Sequence, residues 1–207
     1  MKKHRLRKAL LILAGVLMVL YVIACNILVS AALVPSFMEK LEAFEALTEK
    51  GMSQQVYTED IVENQAQAAD ETEEWVRTAD SQLLTVTTDD GYELAARVFY
   101  QEEESHKWVL LLHGYTGWKE EMYPLGFRYA GQGYQVLAPD MRCSGESGGD
   151  YIGMGWTDRL DNMLWLEWIL EQDPQAQIVI HGQSMGAACA LMMSGEESLP
   201  GAVKAIV

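Results

Sequence analysis

The sequence contains few of the residues that build metal sites. Its 207 residues include only three cysteines and four histidines. Cys25 lies in a long apolar stretch, whereas Cys143 and Cys189 lie far apart in the second half of the chain. No CxxC or Cys/His spacing typical of a metal site occurs, so we expect no bound metal. The spacing does not determine whether Cys143 and Cys189 form a disulfide.

Positive charge is scarce beyond the first residues. Five of the 15 Lys and Arg residues lie within the first eight positions, and all 30 Asp and Glu residues follow Pro35. The chain from Pro35 onward therefore has ten basic residues and a formal charge of −20. Such a surface repels nucleic acid phosphates and anionic lipid head groups. The composition argues against a nucleic-acid-binding protein and against peripheral membrane binding.

Charge and proline are both missing from Ala9 to Val34. As a helix, these 26 residues would be about 39 Å long, which exceeds the roughly 30 Å hydrocarbon core of a bilayer. The basic residues precede this stretch, and the positive-inside rule places them in the cytoplasm. We expect residues 1–8 to be a cytoplasmic tail and residues 9–34 to be the anchor of a single-pass protein of the cell membrane. The remainder of the chain then lies outside the cytoplasm.

Two other interpretations of this stretch remain open. Ser30-Ala31-Ala32 offers small residues at which a signal peptidase could cut, and Val22-Ile23-Ala24-Cys25 loosely matches a lipoprotein signal. The apolar core of a cleaved signal usually has about 7–15 residues, and the run here is longer and continues beyond Cys25. The length favours an anchor.

Residues 35–80 are acidic and rich in Gln, Ala and Glu. Apolar residues recur at roughly helical spacing at Met38, Leu41, Phe44 and Leu47. We predict a helical stalk followed by a solvated linker through Asn64–Asp80, and we assign no chemistry to this segment.

Residues 81–207 alternate between apolar runs and amphipathic segments. Asp89-Asp90-Gly91 joins the first two runs and predicts a hairpin. Strands are predicted at Gln82–Thr88, Tyr92–Tyr100, Trp108–Leu112, Tyr134–Ala138, Gln177–Ile180 and Val203–Val207, and helices at Lys119–Gly131, Thr157–Gln172 and Ser184–Ser194. We predict an α/β fold with a mostly parallel sheet covered on both faces by helices.

The sequence Gly182-Gln183-Ser184-Met185-Gly186 lies between a predicted strand and a predicted helix. A serine at such a sharp turn projects out of the sheet toward substrate, and the glycines permit close approach of the backbone. The helix that follows directs its N-terminal amides and its dipole at the site. Ser184 is therefore the candidate nucleophile.

A second motif, His113-Gly114-Tyr115-Thr116-Gly117, follows the strand Trp108–Leu112. A loop at this place can direct a backbone N–H at the carbonyl oxygen under attack. We predict an oxyanion hole formed by the backbone N–H groups of Tyr115 and Met185.

A third segment, Pro139-Asp140-Met141-Arg142-Cys143-Ser144-Gly145-Glu146-Ser147, follows the next strand. In this order and spacing, the three motifs resemble the α/β-hydrolase superfamily over about residues 80–207. The closest likeness is to bacterial membrane-anchored, serine aminopeptidase-like hydrolases. Cys143 and Ser144 stand where that group usually has Gly and His. The resemblance implies that Asp140 and Arg142 organise this loop and take no part in a triad.

The resemblance also implies a triad in which an acid and then a histidine follow the nucleophile along the chain. His4, His106, His113 and His181 all precede Ser184. A serine without a base is a weak nucleophile. We therefore expect these residues to be the N-terminal part of a longer protein, truncated after the helix that follows Ser184, and inactive by themselves.

The expected activity is that of a serine hydrolase acting on an ester, thioester or amide carbonyl of a small-molecule, acyl or peptide substrate, without cofactor or metal. The alternative is a non-catalytic surface binding or scaffold protein on a hydrolase fold. Retention of both the nucleophile motif and the oxyanion loop argues against that alternative.

Overall fold

The structure is a computed structural model that describes residues 2–34, 59–103 and 105–207. The predicted stalk around Met38–Leu47 lies outside the described residues. Helix α1 comprises Lys2–Leu33, as the uncharged run predicted. Its part Ile12–Leu33 has 22 residues and a mean hydropathy of 2.7, so it is long and apolar enough to cross a membrane. A signal sequence near the N-terminus can also meet this criterion of length and composition.

The predicted linker Asn64–Asp80 is not a solvated coil. Its residues up to Thr78 belong to helix α2, which comprises Glu59–Thr78. Trp75, Val76 and Ala79 at its C-terminal end pack against a buried cluster of the domain. The Trp75 ring stacks on Phe99 with centroids 4.2 Å apart. Apolar contacts therefore pack the C-terminal end of this helix against the domain. The acidic composition of the segment gives no indication of them.

We expect Trp75→Ala to lower the free energy of unfolding by about 2–3 kcal/mol. Removal of the half-buried indole would leave a cavity that shifts of the surrounding structure fill only in part. Trp156→Ala is the matched control, because Trp156 is 63% exposed. The control should cost less than about 1 kcal/mol. Urea unfolding of the two variants measures the difference, and equal losses would show that α2 is not docked through Trp75.

Among the described residues, six strands form one sheet in the order β1-β2-β4-β3-β5-β6. β1 and β2 form the predicted antiparallel hairpin, β2 also pairs antiparallel with β4, and the remaining pairs are parallel. The strands are β1 Ser81–Thr87, β2 Glu93–Phe99, β3 Lys107–Leu112, β4 Gln135–Pro139, β5 Gln177–Gly182 and β6 Val203–Ile206. All six predicted strands are thus present, with ends shifted by one or two residues.

Helices cover both faces of the sheet, which explains why the central strands are apolar throughout. Alternate residues of β3 illustrate this: Val109 and Leu111 pack in the cluster with Tyr123, whereas Trp108 and Leu110 pack in the larger cluster with Trp165. The helices are α3 Tyr123–Ala130, α4 Asp158–Gln172 and α5 Met185–Met193.

The predicted helix Lys119–Gly131 consists of two pieces. Lys119–Met122 is a 3-10 turn, and α3 begins at Tyr123. Pro124 lies in the first turn of α3, where its missing N–H and its ring are tolerated, but a proline in the interior of one continuous helix would break it. The short turn leads from the candidate oxyanion loop into α3.

Candidate active site

Ser184 occupies a sharp turn between β5 and α5. Its backbone angles are φ +53° and ψ −111°, and its side chain is exposed. The N–H of the preceding Gln183 donates to the carbonyl oxygen of Leu112 over 2.9 Å, which ties the turn to the end of β3. A non-glycine residue in this region of backbone space is strained, and such strain persists only where the surroundings impose it. The fold therefore holds Ser184 out of the sheet at a fixed position.

The two glycines of the motif leave no room for a side chain. A Cβ on Gly186 would overlap the carbonyl oxygen of Leu112 and would lie 2.7 Å from that of His113. A Cβ on Gly182 would overlap the backbone of Gly186. Glycine at positions 182 and 186 thus lets β3, β5 and α5 lie closer together than a residue with a side chain would allow. The Gly-x-Ser-x-Gly spacing predicted this close approach.

The loop after β3 lies beside Ser184. A Cβ on Gly114 would be 3.7 Å from the Cβ of Ser184. The loop then turns sharply, with the Gly117 N–H donating to the Gly114 carbonyl over 3.2 Å and with Thr116 at φ +58°. Met185 begins α5, so its N–H is one of the first-turn amides that have no partner within the helix. The structure thus brings Ser184, Met185 and the segment that carries Tyr115 together at the carboxyl end of the sheet.

His113 is fully buried and joins two loops. Its Nε2 accepts the Met141 N–H over 2.9 Å, so its Nδ1 carries the proton and donates to the Gly114 carbonyl over 2.8 Å. Burial lowers the pKa of His113 below its ordinary value. This histidine is a neutral structural bridge, with both nitrogens occupied.

The lowered pKa of His113 predicts a pH dependence of stability. The folded state favours the neutral ring, so this contribution is complete above the unfolded pKa of about 6.5 and is lost as the pH falls through the lowered folded pKa. His113→Gln keeps an acceptor for Met141 but cannot be protonated in this range. We expect urea midpoints of the variant to fall less than those of the unsubstituted protein between pH 6.5 and 5. Parallel curves would contradict a buried neutral imidazole.

Asp140 organises the loop after β4, as the resemblance implied. Its buried carboxylate accepts the backbone N–H of Lys119 over 2.7 Å, the ammonium of Lys119 over 2.6 Å and the Glu146 N–H over 2.9 Å. Gly145 rests against this carboxylate in a left-handed conformation, where a Cβ would overlap it. Asp140 is thus engaged on every side and is not available as a triad acid.

Arg142 joins the same loop to α4 and to the hairpin. Its guanidinium forms two hydrogen bonds of 2.8 Å with Asp161 and two more with Asp90. The hydrogen bonds from Arg142 lower the pKa of Asp90 to about 2. The role expected of Arg142 is therefore also structural.

Cys143, which stands where the resembling group has glycine, adopts φ +61°. This left-handed conformation favours glycine, so the departure introduces local strain. Cys143 and Cys189 are both free thiols in the structure, and burial raises the pKa of Cys189 to about 12. Cys189 is therefore an inert core residue that has little thiolate character.

His106 and His181 have partners away from Ser184. His106 precedes β3 at the opposite end of the sheet and lies 2.9 Å from a carboxylate oxygen of Asp173. His181 on β5 lies 3.0 Å from the hydroxyl of Tyr129. None of His106, His113 and His181 is placed to act as a base for Ser184. Within the same described ranges, no group of three His, Cys, Asp or Glu side chains could hold a metal ion.

Sequence reasoning did not find Lys119, whose side chain is only 2% exposed. The sequence pattern places Lys119 only at the start of a predicted helix. Its partner Asp140 is 21 residues away along the chain, so local patterns gave no signal of the pairing.

Comparison with known proteins agrees with this architecture. A family model described as alpha/beta hydrolase fold matches residues 107–207. An esterase of Pyrococcus furiosus superposes with a TM-score of 0.54 at 31% identity over 58% of this chain and 48% of its own. A lid-less serine hydrolase of Xanthomonas campestris gives 0.50 at 21% identity, covering 56% of each chain. A serine hydrolase homologue of Coxiella burnetii gives 0.50 at 19% identity over 56% of this chain and 58% of its own.

The chain spans about half the length of the solved structures that it matches. No curated protein matches it. The matched residues include β3–β6, the loop after β3 and the turn at Ser184. These matches, together with the order of the six strands and the turn at Ser184, show that the chain has the α/β-hydrolase fold.

Proposed function

We propose that this chain forms part of a serine hydrolase that attacks an ester, thioester or amide carbonyl with Ser184. The strained, exposed backbone of Ser184 carries the proposal. A conformation of this kind costs on the order of 1–3 kcal/mol and tends to occur at functional sites. A structural serine would gain nothing from φ +53° between two glycines that admit no side chain.

In the proposed reaction, Oγ of Ser184 attacks the carbonyl carbon and its proton passes to a histidine base. The carbonyl oxygen becomes an oxyanion that accepts hydrogen bonds from the backbone N–H groups of Tyr115 and Met185. The N-terminus of α5 adds its dipole at the same place. The protonated base then donates to the leaving group, and water releases the acyl group from Ser184 by the reverse proton route.

None of the three histidines described in the hydrolase domain supplies the base. His113 and His181 are already engaged, and His106 lies at the far end of the sheet. In the fold's usual order, an acid and then a histidine follow the nucleophile.

Esters and thioesters are the substrate class to test first, because the Pyrococcus furiosus protein, 31% identical over the aligned part, is an esterase. Peptides with a free N-terminus come next, because the sequence resembles serine aminopeptidase-like hydrolases.

We also propose that α1 anchors the protein in the cell membrane, with residues 1–8 in the cytoplasm and the hydrolase domain outside it. The 22 apolar residues and the basic cluster support this. The mass of the mature protein tests it: a product that retains residues 1–34 supports an anchor, and one that begins after Ala32 indicates a cleaved signal.

Hydrolysis of p-nitrophenyl butyrate by the protein expressed from its complete gene tests the activity. We expect turnover that Ser184→Ala reduces by about 10³-fold or more. Turnover equal in both proteins would show that Ser184 is not the nucleophile. Absence of turnover, with peptides as well as esters, would favour the non-catalytic scaffold.

A further inference from the structure

Lys119 is a charged side chain in a place where charges are rarely found. Its side chain is 2% exposed, and that of its partner Asp140 is fully buried. The ammonium group donates to Asp140 over 2.6 Å and to Glu146 over 2.7 Å. Burial alone would lower the pKa of Lys119, but the hydrogen bonds to these two carboxylates outweigh it and raise the pKa. Lys119 is therefore a cation inside a carboxylate cage.

The position of Lys119 along the chain relates this cage to the active site. The candidate oxyanion loop leaves β3 at His113 and passes beside Ser184 at Gly114, where an added Cβ would lie 3.7 Å from the Cβ of Ser184. Only four residues separate Gly114 from Lys119, and the Gly117 N–H closes a tight turn on Gly114. Because the loop is short and constrained by this turn, we expect a displacement of the Lys119 backbone to move the Tyr115 N–H as well.

Both ends of the loop are fastened to the same neighbour, the segment that follows β4. At the first end, His113 accepts the Met141 N–H over 2.9 Å. At the second end, the backbone N–H and the ammonium of Lys119 both donate to Asp140. Asp140 is itself fixed, because its N–H donates to the Ala95 carbonyl and its carbonyl accepts the Ser147 hydroxyl.

We propose that Lys119 is a positioning residue of the oxyanion hole, which holds the loop 114–118 in register with Ser184 through Asp140. This inference rests on the proposed function. The Lys119–Asp140 ion pair would fix the position of the Tyr115 N–H, which donates to the oxyanion in the transition state. Loss of the ion pair should therefore lower kcat and leave KM nearly unchanged.

The test neutralises the ion pair without leaving a buried charge unpaired, since an uncompensated charge alone could prevent folding. Lys119→Met/Asp140→Asn removes both charges and keeps an acceptor at residue 140. The matched control is Arg142→Met/Asp161→Asn, which neutralises the other buried ion pair of the same loop. Arg142 ties that loop to α4 and to the hairpin, and it makes no contact with residues 114–118 among its hydrogen bonds.

Two readouts separate positioning from stability, both measured on the protein from its complete gene at least 15 °C below the lower Tm. The first is the second-order rate of labelling by a fluorophosphonate, whose phosphonyl oxygen enters the oxyanion hole. The second is kcat and KM for p-nitrophenyl butyrate. We expect the Lys119/Asp140 variant to label about 10–100-fold more slowly and to lose kcat by a similar factor, with KM within about twofold. We expect the control to retain both rates.

Each outcome decides the proposal. Unchanged labelling in the Lys119/Asp140 variant, or an equal loss in the control, overturns the positioning role alone. No labelling of the unsubstituted protein overturns the proposed function, and the inference falls with it.

Discussion

Replacing Gly186 with alanine is expected to leave little folded protein. The added methyl group would overlap the carbonyl oxygen of Leu112 at the end of β3, and backbone in the middle of a sheet cannot move aside as a side chain would. Overpacking of side chains typically costs about 1–3 kcal/mol, so a clash with backbone should cost more than about 3 kcal/mol. Soluble yield and the urea midpoint measure this loss.

Gly201→Ala is the control for this variant. No heavy atom lies within 4 Å of a Cβ built at Gly201, and its φ is not positive. Its stability should stay within about 0.5 kcal/mol of the unsubstituted protein. A Gly186→Ala protein as stable as this control would mean that the turn is looser than the structure shows.

Replacing Ser184 with glycine should abolish activity and stabilise the fold at the same time. Glycine adopts positive φ without steric cost, so the variant releases the strain that serine bears at φ +53°. Part of the gain is offset by the greater freedom of glycine in the unfolded chain. We expect a net rise of about 1 kcal/mol in the free energy of unfolding and loss of hydrolysis of about 10³-fold or more.

Ser184→Ala provides the comparison, because alanine lacks the hydroxyl but keeps the strained Cβ. It should be equally inactive and should show no gain in stability. The two variants are compared by urea unfolding at one pH. If both unfold at the same midpoint, the backbone at residue 184 is not strained, and the observation that supports the proposed function is lost.

Much of the fold could be predicted because short apolar runs and turn residues, which are local features of the sequence, encode its strands. The run Trp108–Leu112 is buried on both sides, and its length of five residues between turns favours a strand over a helix. The turn Asp89-Asp90-Gly91 encodes the hairpin in the same local way. The Ser184 motif was informative because each of its glycines lies where backbone atoms leave no room for a side chain.

Two predictions were wrong, the solvated linker and the single helix Lys119–Gly131, because in each segment two sequence patterns favoured different structures. In α2, Thr72, Trp75, Val76 and Ala79 recur at helical spacing, but the surrounding acidic residues made the segment look solvated. Pro124 marked the break before α3, yet the amphipathic pattern around it favoured one helix. Contacts across the fold left no pattern at all. The pairing of Lys119 with Asp140 and the bridge from His113 to Met141 exist only once β3 and β4 lie side by side.

The site of a covalent adduct would identify the nucleophile of this protein. The protein expressed from its complete gene is treated with a fluorophosphonate and digested, and the modified residue is identified by mass spectrometry. We expect one adduct on Ser184, in the peptide that contains Gly182 and Gly186, and none in the Ser184→Ala protein. An adduct on another residue, or a folded protein that takes up no label, would contradict Ser184 as the nucleophile.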